Sequence, residues 1–259
     1  MSDGFADQVA LLARRSVVRT ARQPANVVFP LVFPLLLLAV NSSGLRSATR
    51  LPGFPTDSYL AFALAIPFMQ GALFATMNAG TDLARDIQTG FLNRLALTPM
   101  RSFALLAGQL GGVMAMTVVQ AAVWICAGLI LGVHFAAGPF GIVVLFLFSL
   151  LIGLGFGALG AFVALRTGSG EAVQGVFPVF FVLLFISSMA LPRNLIQTDW
   201  FRTAATLNPV SYLIEGMRSL IIIGWDPEAL ALGFGMAALI ASVALALAAV
   251  SLHTRMERS

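Results

Sequence analysis

Side chains able to do chemistry are few in this sequence, and they gather in three places. The first is residues 82–101, DLARDIQTGFLNRLALTPMR, where Asp82, Asp86, Arg85, Arg94 and Arg101 interrupt two long apolar runs. On a helix, Leu83, Ile87, Phe91 and Leu95 recur every four residues and form an apolar face. Such a helix suits a membrane surface, either offered to another protein or lying at the interface with its arginines snorkelling. Gly90 weakens it and Pro99 ends it. The second place is residues 193–227, too polar for a full span and too apolar for a solvated loop. There Asn208-Pro209 marks a turn or helix start, and Glu215 and Arg218, three apart on a helix, are within reach of pairing. The third is a scatter of polar groups inside apolar runs: Gln70, Thr76 and Asn78.

None of these makes a catalytic constellation. No paired carboxylates converge, no His/Cys spacing fits a metal, and His134 and His253 stand at the ends of apolar runs. Cys126 is the only cysteine. All fifteen basic residues are arginine, so the lysine that a Walker A loop needs to reach phosphates is missing. The segment Gly155-Phe156-Gly157-Ala158-Leu159-Gly160 matches G-x-G-x-x-G in form. It lies in an apolar run without βαβ context, and Gly153 and Gly157 fit the small-xxx-small pattern of close helix packing instead. The apolar runs hold no interior Asp, Glu, Lys, Arg or His, which disfavours a carrier driven by protons or sodium. No basic cluster interleaves with aromatics on a polar face, so no nucleic-acid surface is read.

The elements that position these residues are membrane helices. Hydrophobic residues make up 59% and charged residues 10% of the 259, against about 25% charged in soluble domains. The expected fold is all-α and polytopic, a single transmembrane domain over 1–259. Six spans are read at about 26–43, 58–81, within 103–133, within 139–165, 172–192 and 229–252. Residues 1–23 form an amphipathic helix with Arg15, Arg19 and Arg22 on one stripe. Pro30 and Pro34 share a face of the first span and kink it. Residues 193–227 are read as two short helices that dip into the outer leaflet and return, or as one helix lying flat. Arginines 14, 15, 19, 22, 85, 94, 101, 166, 255 and 258 fall on one side, and 46, 50, 193, 202 and 218 on the other. That asymmetry puts both termini in the cytoplasm.

Two stretches carry a family resemblance. Asp86-x3-Gly90-Phe91-Leu92-x-Arg94-Leu95-x3-Pro99, with Thr98, resembles the acidic-Gly-Leu-Arg…Thr-Pro segment of type 2 ATP-binding-cassette (ABC) exporter membrane subunits, in particular daunorubicin-resistance-type permeases. Phe177-Pro178, Leu191-Pro192 and Asn208-Pro209-Val210-Ser211-Tyr212…Glu215-x2-Arg218 resemble the fifth span and the Asn-Pro-x-Ser/Thr-Tyr signature of that family. The resemblance implies a pair of permease subunits, identical or sister, in a bacterial cytoplasmic membrane. Two separate ATPase subunits would hold ATP and Mg beneath them, and this chain would bind no cofactor or metal. Residues 82–101 would be the coupling helix, with Leu83, Ile87 and Phe91 buried in an ATPase groove and Asp86 and Arg94 setting register. Residues 193–224 would close the exit. Amphipathic drugs or lipids are the implied substrates, and Phe68, Gln70, Asn78, Phe180 and Phe181 are the expected path lining. Export of a lipid-linked glycan or polysaccharide, and a six-span scaffold that moves nothing, remain alternatives.

Overall fold

The computed structural model describes residues 5–96 and 102–256. Helix α1 (Phe5–Ala21) is followed by a turn at Arg22 and Gln23, and α2 (Pro24–Gly44) begins with proline at its first position, where a missing N–H costs nothing. Inside α2, Pro30, Pro34 and Leu38 form its buried stripe, each one turn from the next. Pro34 cannot donate to the carbonyl four residues back. That freed carbonyl, on Pro30, accepts from Gln120 Nε2 at 3.5 Å. The kinked face is therefore turned inward, while Val28, Phe29, Val32, Leu36 and Val40 are exposed.

The second span starts as α3 (Tyr59–Ala63), capped by the Ser58 hydroxyl, and continues after Leu64 as α4 (Ala65–Gln88). Pro67 withholds the N–H that would satisfy Ala63, which accounts for the break. Helix α4 is the centre of the bundle and is buried along most of its length. After a turn at Gly90, φ +69°, come α5 (Phe91–Ala96), α6 (Ser102–Ile130), α7 (Gly138–Thr167) and α8 (Gly170–Phe185). Short helices α9 (Asp199–Leu207) and α10 (Pro209–Arg218) lead through a π-turn, Ser219–Ile223, into α11 (Pro227–Met256).

The glycine run of α7 is a packing surface on several sides. A Cβ at Gly153 would meet Thr117 of α6 at 2.6 Å, one at Gly155 would meet the Ala241 backbone of α11 at 3.1 Å, and one at Gly160 would meet the Thr76 carbonyl of α4 at 1.9 Å. Thr76 Oγ1 donates to the Phe156 carbonyl across the same crossing, 2.9 Å. Glycine lets the backbones approach closely enough for this.

Five helical stretches are long and apolar enough to cross a membrane, and α8 is a shorter apolar sixth. With five long spans and this shorter one, all helical, the chain is a polytopic membrane protein. The expected fifth span of 172–192 is corrected to a helix of 16 residues, about 24 Å at 1.5 Å per residue. The chain beyond Phe185 turns back and is met by α10. Helices of 29 and 30 residues, α6 and α7, exceed the ~30 Å hydrocarbon core and overhang it. The overhang of α6 seats α1: Cβ atoms at Gly108, Gly111 and Gly112 would fall 2.3–2.5 Å from Leu12, Ala13 and Ser16. The N-terminal helix thus packs on protein along this side.

Candidate functional site

Two polar clusters lie at opposite ends of the bundle. At the end carrying α1, Asp86 is 2% exposed at the foot of α4. Its carboxylate accepts from Arg15 Nη1 and Nη2 at 3.0 and 2.9 Å, from Arg19 Nη1 at 2.7 Å, and from Gln109 Nε2 of α6. Arg19 Nη2 also lies 2.8 Å from Asp82 Oδ1, an ion pair. Burial works against the Arg19 charge, but Asp82 and Asp86 outweigh it and hold its pKa above the ordinary arginine value. The Arg15 guanidinium lies 3.8 Å over the Phe91 ring. One acid therefore ties α1, α4 and α6 together, with α5 stacked beneath.

This geometry corrects part of the sequence reading. Residues 82–88 are the protruding end of the second span, not a separate surface helix. Leu83 is 2% exposed and packs with Leu92, Leu105 and Leu106, and Ile87 lies against the same cluster. Leu83 and Asp86 are covered by the chain's own helices. Leu83 and Ile87, two members of the four-residue stripe, pack among side chains of α1, α6 and α7. Gly90 supplies the turn, Phe91 is partly buried, and Arg94 is exposed with Arg85, Gln88 and Thr89. Pro99 lies outside the described residues. Sequence reasoning missed Arg15, Arg19 and Gln109 as partners. The available signal was matching spacing, since Arg15/Arg19 and Asp82/Asp86 are each one helical turn apart.

At the opposite end, Asn208 joins two helices. Its Oδ1 accepts from Val210 N at 3.0 Å and caps α10, while its Nδ2 donates to the Ile186 and Leu183 carbonyls at the end of α8. Pro209 fills the first position of α10. Tyr212 donates to the Thr206 carbonyl at 2.8 Å, and Arg193 lies 4.7 Å over its ring. Glu215 pairs with Arg193, which corrects the expected Glu215–Arg218 pair. Burial lowers the Arg193 pKa, but the Glu215 carboxylate raises it further, so the net shift is upward. Arg218 is 4% exposed and holds three backbone carbonyls instead. Its Nε donates to Phe62 at 3.0 Å, its Nη1 to Ser188 at 2.5 Å and its Nη2 to Met189. The guanidinium also stacks 3.5 Å over the Phe62 ring. A cavity of about 370 Å³ opens beside it, bordered by Phe62, Arg193, Glu215 and Asp226.

The five expected path residues do not share one cavity. Phe68 is enclosed between α4 and α6, 5.3 Å from Trp124, and Gln70 is buried with its Oε1 unpartnered. Both lie within the chain's own core. Asn78 lines a small polar recess with Asp82, Gln109 and Gln120. Phe180 packs on Phe156 at 5.6 Å, and Phe181 stacks between Phe177 and Phe185 along α8.

A bundle of apolar spans with charged clusters at its two opposite ends is the architecture of a polytopic membrane subunit. Residues 7–222 match the ABC-2 type transporter family, and the chain belongs to it. It is similar to a protein named as a transport permease, ycf38, of Cyanophora paradoxa, 26% identical over 219 residues, 83% of this chain and 74% of the relative. A protein named as a doxorubicin resistance ABC transporter permease, DrrC, of Mycobacterium tuberculosis is 26% identical over 220 residues, 85% of this chain and 79% of the relative. The daunorubicin resistance ABC transporter permease DrrB1 of Streptomyces coeruleorubidus is 27% identical over 197 residues, 75% of this chain and 66% of the relative. The chain is accordingly a transport permease subunit.

Proposed function

We propose that the chain, as one transmembrane permease domain, exports amphipathic drugs or lipids when driven by a separate ATPase. The observation that carries this reading is the Asp86 network. It clamps α1 and α6 to the foot of the central helix α4. The exposed groups at that foot are Arg85, Gln88, Thr89 and Arg94. An ATPase pressing on this face would push along α4 into the middle of the bundle. The coupling segment is then the outward side of residues 85–96, with Phe91 and Ile87 at its edge. ATP and Mg would be held by two copies of the ATPase, and none by this chain. A second permease, identical or sister, would complete the path across the exposed apolar faces of α2 and α8. The arginine distribution supports both termini in the cytoplasm, and the two drug-resistance relatives support a bacterial membrane. The α9–α10 segment would close the exit, with Asn208, Pro209, Tyr212, Glu215 and Arg218 holding it to the ends of α8 and α3. Substrate preference follows from the named relatives and from the phenylalanine-rich α8. A lipid-linked glycan or polysaccharide is the second substrate class, favoured if the path opens widely at the α2–α8 face.

The test is recovery of the protein from native membranes in mild detergent, followed by ATPase and drug-efflux assays. The expected result is a co-purifying ATPase lost on Arg85→Glu with Arg94→Glu, together with loss of efflux. Loss of the complex with efflux unchanged would favour the scaffold alternative, and recovery without any ATPase would remove the motor.

A further inference from the structure

A cleft of about 690 Å³ runs between α1, the α1–α2 turn and the foot of α4. Five arginines line it: 14, 15, 19, 22 and 85. Arg15 and Arg19 are spent on Asp86 and Asp82. Arg14, Arg22 and Arg85 are exposed and have no acidic partner among the described residues. Gln23, also in the wall, accepts from Asn26 through its Oε1, which leaves its amide N–H groups free to donate. Asp86 also lines the wall but is taken up by Arg15 and Arg19, and Asp82 acts on Arg85 only at longer range, so the cleft keeps an excess of guanidinium charge that favours an anion.

The apolar surroundings say which anion. Leu11, 63% exposed, and Val18 lie among these arginines in the wall. The cleft sits where the chain turns from α1 into the first span, and Val28 and Phe29 are exposed one turn or so into α2. A soluble anion would use the arginines and waste the apolar rim. We propose that this cleft is a binding site for an anionic phospholipid, its phosphate among Arg14, Arg22 and Arg85 and its acyl chains along the start of α2. The site needs neither nucleotide nor transport substrate, and it is separate from the coupling face in function although it shares Arg85. Guanidinium groups stay charged at all physiological pH values, and occupancy weakens with salt.

The full-length protein in neutral detergent is titrated with phosphatidylglycerol and with phosphatidylcholine of the same chains, and bound lipid is counted by native mass spectrometry. Wild type is expected to prefer phosphatidylglycerol. At about fivefold per arginine near an anionic headgroup, Arg14→Gln with Arg22→Gln and Arg85→Gln lowers that affinity about 100-fold and leaves phosphatidylcholine unchanged. Arg22→Gln alone lowers it about fivefold, which keeps the test open if the triple variant folds badly. Arg94→Gln with Arg166→Gln, basic positions outside the cleft, leaves it unchanged. Equal loss in that outside pair would mean diffuse surface charge and overturn the site. So would an unchanged cleft variant, or displacement of the lipid by inorganic phosphate at equal concentration.

Discussion

The two ends of the bundle solve the same problem with different partners. At one end buried charge is met by charge: Asp86 is held by Arg15, Arg19 and Gln109 from two other helices. At the other, Arg218 is met by the backbone carbonyls of Phe62, Ser188 and Met189 and by the face of the Phe62 ring. A side-chain partner can be altered together with its mate, whereas a carbonyl cannot. The first arrangement can thus be separated into parts by mutation, and the second depends on a single side chain. The difference also fits a division of labour. Helices α1, α4 and α6 form a fixed body at the basic end, while Arg218 pins the turn after α8 and the start of α3 against α10.

The largest effect is expected where the partners are carbonyls. Arg218→Ala strands three buried acceptors at ~1–3 kcal/mol each and opens a cavity, so a loss of about 5 kcal/mol is expected. Arg218→Lys recovers little, because one ammonium cannot match a three-pronged fork. Thermal unfolding in detergent measures both, and full retention of stability by the lysine variant would break the carbonyl-cage account. Next comes Asp86→Asn, which leaves Arg15 without a counter-charge and Arg19 with Asp82 alone. Removing one member of a buried pair costs roughly 3–5 kcal/mol, and the partial exposure of Arg15 brings the expectation to about 3 kcal/mol. Here the comparison becomes sharp. Adding Arg15→Gln to Asp86→Asn should restore part of that loss, a coupling of the kind seen between contacting residues, whereas no second change at a side chain should rescue Arg218→Ala. Equal rescue at both ends would erase the distinction.

Much of this architecture was readable in advance, and the places where it was not share a cause. The order of spans, the Pro30/Pro34 face, the glycine packing run and the Asn208-Pro209 helix start are local patterns, and each holds in the structure. The inward burial of Leu83 and Asp86 was not legible. A stripe repeating every four residues says that one face is apolar, but not whether the cover is another protein or the chain's own α6 and α7. The same holds for Glu215: spacing offered Arg218, while the fold brought in Arg193 from 22 residues away. The length of α8 was hidden because residues 186–192 remain apolar after the helix ends, and Asn208 takes over its last carbonyls.

Asn208 tests that handover at a smaller scale. Asn208→Ala removes the α10 cap, about 1 kcal/mol, and the donor to the Leu183 and Ile186 carbonyls, about 1 kcal/mol more. Asn208→Ser keeps a cap acceptor and loses the donor to α8, so it should fall about halfway between wild type and alanine. If serine were as damaging as alanine, the bonds to α8 would be the whole contribution of this residue.

The smallest effect should come from the most conspicuous charge pair at this end. Arg193 and Glu215 are each about a quarter exposed, and exposed pairs contribute roughly 0–1 kcal/mol. Arg193→Gln is therefore expected to cost under about 1 kcal/mol, and to cost still less in high salt. The stacking of Arg193 on Tyr212 adds about 0.5 kcal/mol at such exposure, and Arg193→Lys should keep the charge while weakening the stack. Arg218, six residues from Tyr212 on the same helical stretch, should show no salt dependence, because carbonyls carry no net charge to screen and solvent does not reach it. A salt titration of the two arginine variants side by side thus separates the two kinds of anchoring within one cluster. A cost at Arg193 above 2 kcal/mol that persists in 1 M salt would place that pair in the buried class with Asp86 and leave the contrast between the two ends unsupported.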